Sequence, residues 1–330
     1  MAWFGCPMLR PADPSHRTPP SALARLAGKL KRRLTLSHLV PQFVHETDKL
    51  ARRLEQLERE NDRMRRALGR IEARQTACAP DGRAAEFQVY SQWGEDGYLR
   101  WLLERVPTPD KRFVEFGVES YREANTRFLL TDFGWSGLVL DGNDRQVEQI
   151  RRDRIFWLHD LKVETAFITR DTINDLFTRG GMTGDLGLMS VDVDGVDWHL
   201  WDALEVARPR VVVAEYNHLL GPTRSVTVPY RPDFDRRIAH HSLCYYGASL
   251  TALTKLADRK GYDLVGCGSA GLNCYFVRRD VRPACVPAVT PEEAFVAGQF
   301  CEWHDEAGER VKVSRDEMVR RVGEMPWREV

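Results

Sequence analysis

Two apolar runs in this chain end in pairs of oxygen-bearing side chains, two acids in one and an acid with an amide in the other, and those pairs are the residues best suited to chemistry. Leu186-Gly-Leu-Met-Ser-Val191 leads into Asp192-Val-Asp194-Gly195, and Arg210-Val-Val-Val-Ala214 leads into Glu215-Tyr-Asn217-His218. Residues two apart in an extended segment project to one side, so each run presents a pair of oxygen ligands. Asp192, Asp194, Glu215 and Asn217 form a hard donor set that suits Mg²⁺ or a similar ion. Such an ion would bind a diol, lower the pKa of a hydroxyl and hold its oxygen in line for displacement. His218 adjoins this set, where a general base could take the proton, and Asp192 counts with it as a catalytic candidate. A purely structural alternative stands beside this one. In it Asp192 caps the following turn, Asp194-Gly195 is a turn, Asp197 caps a helix beginning at Trp198, and His218 is an ordinary hydrogen-bonding residue.

A second constellation lies upstream. The apolar residues Phe113, Val114 and Phe116 break at Gly117, a helix-compatible stretch runs from Arg122 to Phe133, and a further run, Leu138-Val-Leu140, ends at Asp141. A strand-to-helix turn with Gly lets a ligand approach the backbone, and a carboxylate at the next strand tip accepts bonds from ribose hydroxyls. Gly117-Val-Glu-Ser-Tyr-Arg122 lacks the second and third glycines that a pyrophosphate needs, and Glu115 and Glu119 would repel phosphates. A cationic nucleoside without phosphates fits better, and S-adenosylmethionine is the common one.

These residues need a scaffold, and from Glu86 onward the texture is one of alternating strands and helices. Further strands are expected at Thr165–Thr169, Leu186–Val191 and Arg210–Tyr216. A helix over Ser249–Lys260 stops at Gly261, and Tyr262–Gly266 and Asn273–Val277 read as an antiparallel hairpin at the end of the sheet. The expected fold is α/β: a doubly wound, Rossmann-like, mostly parallel sheet over residues 84–280 with a C-terminal hairpin. A charged tail over 281–330 should add a peripheral helix or two.

Ahead of this domain, residues 1–40 read as a disordered basic arm, Pro-rich at the start and cationic without acids from Arg17 to Arg33. That cationic run could also touch an acidic lipid surface. Residues 41–77 read as a coiled-coil helix. Phe43, Leu50, Leu54, Leu57, Met64, Leu68 and Ile71 fall on alternating steps of four and three, with Thr47 and Asn61 filling the seam. With Asn61 at an a position, Arg53 and Glu60 face Glu58 and Arg65 of a parallel partner, so a parallel homodimer through 43–71 is expected. Cys78-Ala-Pro-Asp-Gly ends the helix.

The chain has 330 residues with 48 basic and 48 acidic side chains, so nothing marks it as a nucleic-acid binder. No apolar run approaches a membrane span or the h-region of a signal peptide. Seven cysteines without a Cys-x-x-Cys pair suit a reduced, cytoplasmic protein.

On Val114-Glu-Phe-Gly117, Asp141, Ile168-Thr-Arg-Asp-Thr-Ile-Asn174, Val191-Asp-Val-Asp-Gly-Val-Asp197 and Ala214-Glu-Tyr-Asn217, residues 88–279 resemble a class I S-adenosylmethionine-dependent methyltransferase, with the flavour of FkbM-like sugar and polyketide O-methyltransferases. The resemblance implies Glu115 and Gly117 beside the methionine part of the cofactor, Asp141 on the ribose, and Asp171 or Asn174 near the adenine. The Asp192–Asn217 set is similar to the metal site of catechol-type and macrocin-type O-methyltransferases. Two departures stand: the glycine loop is reduced to one Gly, and the Asp-Val-Glu-Gly element is Asp192-Val-Asp-Gly here. The expected activity is O-methylation of a saccharide or glycosylated natural product. The alternatives are a glycosyltransferase-like enzyme using Asp192-Val-Asp194, and a non-catalytic coiled-coil assembly protein. Trp93, in Tyr90-Ser-Gln-Trp-Gly-Glu-Asp96, either covers a cofactor or packs the entrance helix, and His240 and His241 either line an acceptor pocket or are surface residues.

Overall fold

The computed structural model describes residues 22–299 and 302–330. The first part of the arm expected over 1–40 lies outside the described residues. From Ala22 the chain is helical, and α1 runs from Ala22 to Gln75 with Pro41 inside it, so the helix begins well before residue 41. Two compact units meet within α1, divided between Arg63 and Met64. In the first, Phe43, Leu50, Leu54 and Leu57 of the heptad seam are exposed; in the second, Met64, Leu68 and Ile71 of the same seam are exposed.

The second unit carries the sheet. Its strands are β1 (Arg112–Phe116), β2 (Ser136–Asp141), β3 (Leu161–Thr165), β4 (Gly184–Val191), β5 (Ala207–Glu215), the short β6 (Val226–Thr227), β7 (Tyr262–Cys267), β8 (Asn273–Arg278) and β9 (Arg328–Glu329). Among the described residues seven strands form one sheet in the order β3-β2-β1-β4-β5-β8-β7. The first five are parallel, and β8 joins β5 antiparallel with β7 beside it. This is the expected Rossmann-like sheet with its terminal hairpin. Helices cover both faces, so β1, β2 and β4 are apolar on both sides rather than alternating.

The helices are α2 (Glu95–Arg105), α3 (Arg127–Asp132), α4 (Asp144–Arg152), α5 (Arg154–Leu158), α6 (Ile173–Gly180), α7 (Asp197–Ala203), α8 (Arg236–Ala239), α9 (Leu250–Lys260), α10 (Pro291–Ala294) and α11 (Arg315–Gly323). Local chemistry sets their ends. Ser249 accepts from the Ala252 N–H to start α9, and Gly261 stops it at φ 83°, a conformation that favours glycine. Between the two, Leu250, Leu253, Leu256 and Ala257 are buried against the sheet.

Three expectations are corrected. The third strand is Leu161–Thr165, not Thr165–Thr169; Ala166, Phe167 and Ile168 belong to the loop beyond it. The first crossover helix spans only Arg127–Asp132. The tail is not merely peripheral: Trp303, Met318 and Val322 are buried with Leu219, Leu220 and Val226, and β9 pairs with β6. No described helix is long and apolar enough to cross a membrane.

Candidate active site

The chain order turns back between β1 and β4: strands are laid outward from β1 to β3, and β4 then returns to the other side of β1. In an open α/β sheet the crevice at such a reversal, outside the carboxyl ends of the strands, is where ligands bind. Gly117 and Asp192 follow β1 and β4 there, and the two loops touch. Gly117 has φ 68°, and a Cβ on it would overlap the Asp192 carbonyl oxygen. Glycine is therefore required twice over, by conformation and by contact.

The rest of the first loop reaches its shape without further glycines. Glu119 and Tyr121 take positive φ values of 47° and 57°, so left-handed turns persist although the residue types that favour them are gone. Tyr121 is held in place by burial and a 2.8 Å hydrogen bond with Thr126. Glu115 is buried and accepts from the Asn125 and Thr126 N–H groups and from the Thr126 hydroxyl. Burial, opposed by those donors, pushes its carboxyl up to about 7. It braces the loop. Asp141, at the tip of β2, accepts from the Glu119 N–H at 2.8 Å and the Asn143 N–H at 2.7 Å, which ties the loops after β1 and β2 together.

Asn174 is brought elsewhere. Its amide donates to the Ala203 carbonyl and accepts from the Glu205 and Val206 N–H groups, fastening α6 to the turn before β5. Every amide lone pair and one of its protons thus serves packing, contrary to the adenine role expected for it. Asp171 is exposed in the turn before α6. Phe167, 60% exposed, lies 3.5 Å from where a Cβ on Gly142 would be, beside the tip of β2. An exposed aromatic ring at a strand tip was legible as a residue type but was assigned to a strand.

The structure gathers the acids of β4 and β5. Ligand oxygens of Asp192, Asp194 and Glu215 all lie within 4.8 Å of one another. Burial, reinforced by Asp194 and Asp197, drives the Asp192 carboxyl well above the usual range. Burial and then Asp192 do the same to Glu215, whose Oε2 is buried without a hydrogen-bond partner among the described residues. Asp194 has φ 56° and is exposed. Asp197 does not cap α7: it reaches back and accepts from the Val193 and Gly195 N–H groups, holding the turn that presents the other two aspartates. Asn217 does not join the cluster as expected. Its Oδ1 accepts from the Leu219 N–H and its Nδ2 donates to the Cys244 and Tyr246 carbonyls, so the buried amide anchors the loop after β5. His218 is buried as well, its Nδ1 3.3 Å from Arg315 Nη2, and a Cβ on Gly298 would overlap its ring. The tail covers this histidine, which works against its expected role as a base.

Sequence reasoning missed Arg236, whose Nη1 is 2.5 Å from Asp194 Oδ1. No spacing rule links residues that far apart. The segment Tyr90–Asp96 lies beside the strand-tip loops, with the Ala124 N–H donating to the Tyr90 carbonyl and Asn273 Nδ2 to Glu95. Tyr90–Ser91 wraps around Asp96, whose Oδ2 accepts from the Val89, Tyr90 and Ser91 N–H groups and the Ser91 hydroxyl. Segment 230–236 crosses the acidic turn, with the Tyr230 hydroxyl accepting from the Arg170 N–H and Phe234 packed where a Cβ on Gly195 would be.

No known protein family matches the chain, and no curated protein matches it. Among solved structures, the N-terminal domain of EvdMO1 with SAH bound is similar over 64% of this chain and 94% of that one, at 14% identity and a TM-score of 0.34. An O-methyltransferase from Bacillus cereus in complex with SAH covers 51% and 74%, at 13% identity and 0.33. The SAH-bound Podospora anserina methyltransferase PaMTH1 covers 55% and 78%, at 15% identity and 0.34. Likeness at this level leaves function to be argued from the strand-tip residues themselves.

Proposed function

We propose that this chain is an S-adenosylmethionine-dependent O-methyltransferase acting on a hydroxyl of a saccharide or glycosylated natural product, assisted by a divalent cation such as Mg²⁺. One observation carries the reading: the Gly117 loop abuts Asp192 at the reversal of strand order, so the cofactor-type turn and the acidic cluster share one crevice. S-adenosylmethionine supplies an electrophilic methyl group. On the cofactor side, Asp141 keeps acceptor capacity for ribose hydroxyls beyond its two backbone bonds. Phe167 offers an exposed ring face beside Gly142 for a base.

On the acceptor side, Asp192, Asp194 and Glu215 fit a divalent ion as hard oxygen donors, and Glu215 Oε2 is buried with no hydrogen-bond donor among the described residues. Such an ion lowers the pKa of a bound hydroxyl. The raised pKa values belong to the cluster without an ion; as ligands of a divalent cation Asp192 and Glu215 would be held ionised.

The seam of α1 supports a parallel homodimer. Gly69 and Ala73 are buried, with Val89 and Phe128 where a Gly69 Cβ would sit, and Arg66 and Arg70 bond Asp132. At 3.6 residues per turn this docked face lies opposite Met64, Leu68 and Ile71, leaving the seam open to a second copy. Of the expected interchain pairs, the one using Arg65 is weakened, because that guanidinium bonds the Val89 carbonyl. A reduced, cytoplasmic setting belongs to the same reading.

The test is calorimetric titration with S-adenosylhomocysteine, with and without Mg²⁺. Binding in the micromolar range is expected; no heat at millimolar ligand in either buffer overturns the methyltransferase reading.

A further inference from the structure

Arg236 pairs with Asp194 of the acidic cluster, and three features make its placement more than a surface pairing. Its side chain is largely withdrawn from water and lies over the Tyr246 ring at 5.2 Å. Besides Asp194, its charge faces Glu215 and Asp192. The chain before it is fastened down, by Phe234 against Gly195 and by the Asp235 carboxylate, which accepts from the Arg237 N–H to start α8. The fit is nevertheless incomplete. A planar guanidinium reaches Asp194 from one side and leaves Glu215 Oε2 buried without a donor among the described residues, whereas an ion at the centre of oxygens within 4.8 Å of one another reaches all three carboxylates.

We propose that Arg236 is the cluster's built-in cation and that a divalent ion binds by exchanging with it. This rests on the metal reading above. A guanidinium and a divalent ion repel each other at this range and compete for Asp194, so ion entry requires Arg236 to leave. Arg236 then sets how tightly the ion binds. In the ion's absence its charge partly offsets the crowding of the three acidic groups.

The experiment uses the full chain and Mn²⁺ alone, followed by calorimetry and by the electron paramagnetic resonance of free Mn²⁺. Arg236→Gln should bind Mn²⁺ about tenfold or more tightly than the wild type, Arg236→Lys should stay near the wild type, and Glu215→Gln should lose binding. Phe234→Ala, which loosens the segment pressing Arg236 onto the cluster, should tighten binding in the same direction and serves where Arg236→Gln does not fold. Equal or weaker binding by Arg236→Gln and Phe234→Ala overturns the exchange and leaves the metal site standing. Absence of Mn²⁺ binding in every variant overturns the metal site and the exchange together.

Discussion

The most constrained residue in the crevice is Gly117, and its neighbour Glu119 makes a controlled contrast. Both have positive φ. At Gly117 a side chain would be strained and would also push into the Asp192 carbonyl, a backbone atom that cannot turn aside. Gly117→Ala should cost on the order of 2–3 kcal/mol and reduce S-adenosylhomocysteine affinity, read by thermal melting and calorimetry. At Glu119 the left-handed backbone carries a side chain it does not need, since only the N–H bonds Asp141. Glu119→Gly should stabilise by up to about 1 kcal/mol with affinity unchanged. A stabilising Gly117→Ala would mean that the contact between the two loops is not formed in solution. The reduced glycine loop was visible in the sequence as a departure. That two non-glycine residues keep its left-handed turns was not, because what holds them there is long-range: the carboxylates of Glu115 and Asp141 gathering backbone N–H groups.

At the scale of elements, Asn174 separates packing from binding. Its amide takes the N–H groups of Glu205 and Val206 and gives one to Ala203, so Asn174→Ala leaves polar groups unpaired where α6 meets the turn before β5. A loss of about 1–3 kcal/mol in stability is expected, with S-adenosylhomocysteine affinity unchanged. A selective loss of affinity would restore Asn174 to the cofactor. The parallel strands were legible because strands buried on both faces are continuous apolar runs that stop at an acid or a glycine. β3 broke that pattern. As an edge strand it reads Leu-Lys-Val-Glu-Thr with only Leu161 buried, and the more apolar Ala166-Phe-Ile168 beyond it drew the assignment. The first crossover helix was read too long for a different reason: Asn125 and Thr126 give their N–H groups to Glu115 rather than to a helical turn. The cluster of Asp192, Asp194 and Glu215 was legible from period-two spacing alone, whereas Asn217 shares that spacing and turns into the loop.

At the scale of the molecule, the mostly parallel sheet and a long helix ahead of it were legible from periodicity, and the tail was not, since Trp303, Met318 and Val322 find their partners only through the fold. Replacing Leu54 and Leu68 by Lys places charge on the exposed seam and should convert a dimer to a monomer by light scattering, with little change in the melting of the second unit. The pH dependence of stability is a second whole-molecule property. Burial pushes Glu115 up to about 7 and Asp96 and Asp197 up to about 6. All three are almost wholly inaccessible to water. In the unfolded chain such groups titrate near about 4. Between that pH and about 7 the folded state therefore holds protons that the unfolded state releases, and stability falls as pH rises through the window, levelling above it. The aspartates paired with arginine, Asp185 and Asp263 among them, are shifted down and act oppositely, but only in more acidic solution. The melting temperature should thus be highest at mildly acidic pH and decline toward neutrality, each buried carboxyl contributing on the order of 2 kcal/mol. Asp96→Asn keeps a carbonyl oxygen for the four donors that meet Oδ2 and removes the charge, so it should flatten the decline. A melting temperature that rises between mildly acidic and neutral pH would mean that these carboxyls are ionised and solvated in the folded protein, and that the loops they brace are open.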